Sequence, residues 1–274
     1  AIKVLRPELA ADPSAERLRG EAGILARLEH PGVVPVHEVG RLADGRLFYV
    51  MRLVRGSRLD EFVRDAALAT RLRIFLRICE TMSFAHARGV IHRDLKPSNV
   101  MVGAFGEVLV LDWGIARLEQ RAEAGGSGRE RDAPAGPSVT DADTAAGTVL
   151  GTPGFMSPEQ AQGDVARVDA RSDIYALGAI FRYLATDAPP GARPARSLIS
   201  IWQKACATVP EARYSSAQAL AADVTRFLDA QPVSAHREGW LERSARIYQK
   251  YQTAILLILA YLAMRLMFLL ARGL

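Results

Sequence analysis

The sequence predicts an α+β fold: a short strand-rich part followed by a longer, mainly helical part that ends in an apolar helix. Three observations predict it. Two β-branched-rich runs, Val33 to Val39 and Leu47 to Leu53, flank the turn Ala43-Asp44-Gly45-Arg46. A long helical pattern, Leu68 to Arg88, follows them. Beyond it the polar cluster His92-Arg93-Asp94-Leu95-Lys96-Pro97-Ser98-Asn99 lies between the short apolar runs Val90-Ile91 and Asn99 to Val102.

Ala1 to Leu5 alternates as a short strand that Pro7 ends, and it contains no signal peptide. From Ser14 to Leu28, the residues Leu18, Ala22, Leu25 and Leu28 recur at helical spacing, and His30-Pro31-Gly32 closes the helix. The pattern Leu72, Phe75, Leu76, Cys79, Met82 and Ala85 is long enough to organise a helical lobe. Leu109-Val110-Leu111 runs directly into Asp112-Trp113-Gly114. Glu119 to Gly147 has almost no large apolar side chains and predicts a mobile loop, because it cannot bury enough surface to offset its ordering entropy. Ser172 to Leu184, Ile199 to Thr208 and Ser215 to Leu228 predict further helices, the last with Ser215 as its cap.

Residues 253 to 271 form a nearly all-apolar run interrupted by Arg265. A membrane-spanning helix needs about 20 such residues. The arginine lies off centre, and Arg237, Arg243, Arg246 and Lys250 precede the run, so the expectation is a span with the main domain on the cytoplasmic side. A buried or dimer-forming amphipathic helix is the alternative.

Composition sets bounds on the rest. Of 274 residues, 49% are hydrophobic and 24% charged, which suits a packed core and excludes disorder throughout. The formal charge of +5 is spread along the chain, so no nucleic-acid partner is expected. Cys79 and Cys206 lie in apolar helical patterns without metal-like spacing, which predicts buried free thiols in a reducing compartment.

The polar cluster carries the chemistry. Phosphoryl transfer needs a positioned hydroxyl, neutralised phosphate oxygens and Mg²⁺ on a few oxygen ligands. Asp94 can accept or orient a hydroxyl proton, and Lys96 can approach the transferring phosphate as a point charge. Asn99 offers an amide oxygen and Asp112, thirteen residues further on, a carboxylate; both are hard ligands suited to Mg²⁺. Taken singly, Asp94 reads as a cap or surface ion pair and Asp112 as a turn cap. His92 reads as a packed loop organiser, and Trp113 as an aromatic packing unit.

This ordered set resembles the bacterial branch of the eukaryotic-type Ser/Thr protein kinases, from Ala1 to about Pro232. The resemblance implies a bilobal protein-kinase-like fold: a partial N-lobe over 1–54 and a C-lobe over 55–232, with an activation segment at 112–159. A basic juxtamembrane linker at 233–252 and a transmembrane helix at 253–271 would complete it. It assigns Lys3 of Ala1-Ile2-Lys3 to the α- and β-phosphates of ATP and Glu21 to pairing with that lysine. Met51 to Leu53 resembles the adenine-binding connection: Met51 lines the rear of the pocket, and the backbone of Arg52 and Leu53 makes the polar contacts. Arg52 stands where an acid is often found.

Gly151 to Glu159 resembles the end of the activation segment, with Glu159 pairing to Arg213, while Asp173 resembles the anchor of the catalytic-loop backbone. Thr140, Thr144, Thr148 and Thr152 are candidate phosphate acceptors, with Thr152 also suited to orienting Asp94. The implied activity is transfer from ATP to serine or threonine, with Mg²⁺ or Mn²⁺. The implied partners are protein substrates, a second copy for autophosphorylation, and membrane lipid through the last helix. A single-pass protein of the bacterial cytoplasmic membrane would follow.

A Gly-x-Gly-x-x-Gly loop belongs before Lys3, and the numbering leaves no room for it. The expectation is therefore a partial sequence, inactive or weakly active as 274 residues and competent at full length. The alternative function is an inactive kinase-like scaffold. The retention of Lys3, Glu21, Asp94, Asn99 and Asp112 argues against it.

Overall fold

The computed structural model describes residues 1–4, 14–64, 66–113, 117–118, 154–164, 167–186, 194–236 and 239–272. Strands β1 (Ile2–Val4), β2 (Val36–Arg41) and β3 (Leu47–Met51) form an antiparallel sheet in the order β1-β3-β2. Lys3 lies opposite Tyr49 in the β1–β3 register. Alternation along β3 turns Leu47 and Tyr49 inward, and helix α1 (Ser14–Arg27) buries Leu18, Ala22 and Leu25 on that side.

Strand β2 starts later than the apolar pattern suggests. Val33 is drawn instead into a parallel bridge with Val110, while the Val110 amide donates to the Gly32 carbonyl at 2.8 Å.

After β4 (Ser57–Arg58) and the short α2 (Leu59–Phe62), helix α3 (Leu68–Ala87) runs through the centre of the helical part. It packs against α5 (Ala170–Thr186) and α7 (Ala217–Leu228). Leu72, Phe75, Ile78 and Met82 meet Ile174, Leu177, Ile180 and Phe181 in one core, with the Phe75 and Phe181 rings 5.0 Å apart. Each such buried side chain contributes roughly 1.5–3 kcal/mol relative to exposure. Helix α6 (Arg196–Ala205) crosses α5 at Gly178, where an added Cβ would press on Ala205 and Cys206. Cys79 is buried as expected, whereas Cys206 is only partly so.

Two short sheets carry the polar cluster. Strands β4, β6 (Val100–Val102) and β7 (Val108–Val110) pair antiparallel in the order β4-β6-β7, and β5 (Val90–Ile91) pairs with β8 (Arg117–Leu118). Helix α4 (Pro158–Ala161) follows the segment 119–153, which lies outside the described residues together with Gly114, Thr140, Thr144, Thr148 and Thr152.

Helix α8 (Trp240–Arg272) ends the described chain and corrects one expectation. Among the described residues, no helix is long and apolar enough to cross a membrane. Arg265 puts a charge inside the apolar part of α8, where hydrocarbon would penalise it. The transmembrane helix at 253–271, the membrane-lipid partner and the single-pass membrane location fall with it.

Candidate active site

The polar cluster is held from below by one carboxylate. Asp173, in the first turn of α5, accepts the His92 amide at 2.8 Å and the Arg93 amide at 2.9 Å, and its Oδ2 lies 2.8 Å from His86 Nε2. Burial alone would raise this carboxyl. The His86 hydrogen bond and charge, with the His92 amide, reverse that and hold it below the usual range. Arg93 adopts φ 70°, a left-handed conformation costly for a residue with a Cβ, and the two Asp173 bonds hold that turn in place. From the opposite side, Gln160 Nε2 donates to the Arg93 carbonyl at 2.7 Å.

His92 organises the loop, as the sequence suggests. Its ring is buried against Trp113, with centroids 4.7 Å apart. The Asp94 amide reaches its Nδ1 at 3.3 Å, so Nε2 carries the proton and donates to the Leu111 carbonyl at 3.0 Å. Trp113 is itself buried and donates to the Val110 carbonyl at 3.2 Å.

Above this base the four chemically suited groups converge. Lys96 Nζ lies 2.7 Å from Asp94 Oδ2. Asn99 Nδ2 donates to the Asp94 carbonyl at 2.8 Å and to Asp94 Oδ2 at 3.2 Å, which leaves its amide oxygen available. The Leu111 amide donates to the Asn99 carbonyl at 2.8 Å and ties the loop to the strand that delivers Asp112. Asp112, also at positive φ (60°), is 54% exposed and presents Oδ1 3.6 Å from Lys3 Nζ.

The sheet supplies the facing groups. Lys3 Nζ makes two 2.8 Å bonds to the Glu21 carboxylate. Tyr49 OH donates to the same carboxylate at 2.9 Å, and burial, followed by the Glu21 charge, pushes the phenol far up. Lys3 therefore bridges the sheet, α1 and Asp112.

Met51 is half-buried against the core. Its amide donates to the Ala1 carbonyl at 2.8 Å. The Arg52 amide is already used by the Pro35 carbonyl at 3.2 Å, so the Arg52 backbone can offer a ligand only its carbonyl; the Leu53 side chain is 60% exposed.

An amide oxygen and a carboxylate suit Mg²⁺, which holds several waters and phosphate oxygens beside one or two protein ligands. Among the described residues no three His, Cys, Asp or Glu gather as a self-sufficient metal site. The Asn99 and Asp112 pair thus fits an ion that arrives with a phosphate.

Behind the loop, Arg213 forms a two-point bridge to Glu159 at 2.7 and 2.8 Å, and Ser172 Oγ donates to the same carboxylate at 2.7 Å. Burial opposes ionisation of Glu159; the Arg213 and Ser172 bonds overcome it and hold the carboxyl at about 2. His86, Tyr49 and Gln160 were not singled out by sequence. Tyr49 has a signal in the inward alternation of β3, whereas His86 and Gln160 have none that is local.

Comparison with known proteins gives the family. The protein kinase domain family matches residues 1–230. Over 266 residues the chain is 37% identical to the serine/threonine-protein kinase PknB of Mycobacterium tuberculosis, covering 86% of this chain and 40% of that protein. It is 34% identical over 270 residues to the serine/threonine-protein kinase PknD of Chlamydia abortus, covering 85% of this chain and 28% of the relative. The PknB protein of Mycolicibacterium smegmatis is 37% identical over 262 residues, with 84% and 39% covered. The chain therefore spans less than half the length of these relatives.

Proposed function

This chain belongs to the protein kinase family, and on that premise we propose that it transfers the γ-phosphate of ATP to serine or threonine hydroxyls of proteins, its own included, in a signalling role. One observation carries the proposal. A carboxylate, an ammonium and an amide, those of Asp94, Lys96 and Asn99, share one hydrogen-bonded loop and face the Lys3–Glu21 pair through Asp112.

Each residue takes a role its surroundings allow. Asp94 orients the acceptor hydroxyl and takes its proton as the new oxygen–phosphorus bond forms and the bond from the γ-phosphorus to the bridging oxygen breaks. Lys96, already 2.7 Å from Asp94, offsets charge on the transferring group. Lys3, oriented by Glu21, holds the α- and β-phosphates. Met51 lines the adenine pocket, and the backbone beside it at Arg52 and Leu53 offers polar contacts. Mg²⁺, when held by Asn99 and Asp112, neutralises phosphate oxygens.

A radiolabelled transfer assay on the full-length protein, with Asp94→Asn beside the parent, tests this reading. Loss of a proton-accepting side chain should lower turnover by about 10²–10⁴-fold, with the thermal midpoint little changed. Equal transfer by both proteins would remove Asp94 from its role.

A further inference from the structure

Resting on the kinase reading, we propose that Arg55 and Arg58, with Arg52 beside them, form a surface that recognises an acidic side chain near the acceptor hydroxyl of a protein substrate. The segment joining β3 to α2 reads Met51-Arg52-Leu53-Val54-Arg55-Gly56-Ser57-Arg58, with an arginine at every third position. All three arginines are exposed.

Among the described residues none of the three has an ion pair, although other arginines find nearby acids. Arg46 pairs with Asp44, Arg171 with Glu211 and Arg226 with Asp223. Two acids, Asp60 and Glu61, follow within three residues of Arg58, and neither forms an ion pair with it. Asp60 turns inward, with one carboxylate oxygen buried, and Glu61 lies exposed on α2.

The fold holds this charge beside the candidate active site. Arg58 pairs with Met101 on β6, the strand that begins immediately after Asn99. Helix α2 and β4 pack against the turn Pro97–Asn99. Gly56, at φ 155°, lies so close to the Val102 carbonyl that a Cβ could not fit. The segment is thereby pinned to β6 between Arg55 and Arg58, whose side chains remain exposed.

The chemistry selects the ligand. A guanidinium presents a planar fork of donors that matches a carboxylate or a phosphate through two parallel bonds. One exposed pair is weak. Several like charges on one rim instead favour acidic partners and repel basic ones, through encounter rate as well as contact. Aspartate, glutamate and phosphoserine share the required oxyanion.

The test uses the full-length protein with ATP and Mg²⁺. Serine peptides that differ only in flanking aspartate, phosphoserine, alanine or lysine are assayed for kcat/KM, and their binding is read by fluorescence anisotropy. The parent should prefer aspartate- or phosphoserine-flanked peptides over lysine-flanked ones by about tenfold, and raised salt should compress that preference. The double variant Arg55→Glu/Arg58→Glu should invert the preference and leave the alanine-flanked peptide within about twofold. Phosphorylation of acidic and basic peptides alike, or a preference unchanged in the double variant, overturns the proposal and leaves the kinase reading standing. Selective, Arg55- and Arg58-dependent binding of the acidic peptide without any phosphate transfer does the reverse.

Discussion

The ion pair under the sheet and the ion pair behind the catalytic loop are built from similar groups and held in opposite ways. Lys3 pairs with Glu21 at 2.8 Å, but its side chain is 40% exposed and it has a second acid, Asp112, at 3.6 Å. Glu159 and Arg213 are almost fully buried, and the guanidinium also donates to the carbonyls of Arg171, Ala207 and Thr208. The first leaves Lys3 within reach of a second partner, as its proposed phosphate role requires. The second has every direction filled and acts as a strut.

The comparison can be broken at the strut. Arg213→Ala leaves Glu159 buried without its cation and should cost about 3–5 kcal/mol, read as a fall in the urea midpoint. Stability within 1 kcal/mol of the parent would contradict the strut assignment. On the sheet side the balance should shift: Lys3→Met should lower phosphate transfer by roughly 10²–10³-fold and lower the unfolding midpoint less than Arg213→Ala, because Lys3 is 40% exposed and water can reach the pair although Glu21 is buried.

Acid should separate the two pairs more gently. The folded carboxyl of Glu159 lies at about 2, below its ordinary value of 4.5, so its contribution is complete above pH 4.5 and disappears as pH falls through about 2. The contribution lost across that window is on the order of 3 kcal/mol, and Asp173 and Asp223, also depressed, act with the same sign. Urea midpoints from pH 5 to pH 2 should fall less steeply in Glu159→Gln than in the parent. The smallest effect belongs to Tyr49→Phe, which removes one donor from Glu21 and should cost about 1 kcal/mol while transfer persists; a loss of activity as large as that of Lys3→Met would make Tyr49 part of the phosphate site.

The contrast also explains what could be read from sequence. Asp94, Lys96 and Asn99 lie within six residues of one another and their roles are complementary, so they are legible without a fold. The Lys3–Glu21 and Glu159–Arg213 pairs became legible only through family resemblance. Local patterns located α1, α3 and α7 closely, though Ser216 rather than Ser215 caps α7, with its side chain accepting from Ala219 at 3.1 Å.

What failed locally was decided at a distance. Val33 looks like a strand residue, yet Val110 determines its pairing. Gln160 takes its role from Arg93, 67 residues away, and His86 from Asp173, 87 residues away. The apolar run at 253–271 misled in a different way, because composition over a window was read as a span that the described helix does not support.

The Asp173 bridge has a consequence for how the chain is made. The His92 and Arg93 amides wait for a carboxylate that lies 81 and 80 residues further along. At about 5–20 residues per second, a ribosome would deliver it roughly 4–16 s later. Until then the left-handed turn at Arg93 has no support from α5, so the loop from His92 to Asn99 is synthesised early and locked late. The same helix α5 that completes the core against α3 thus also fixes the loop.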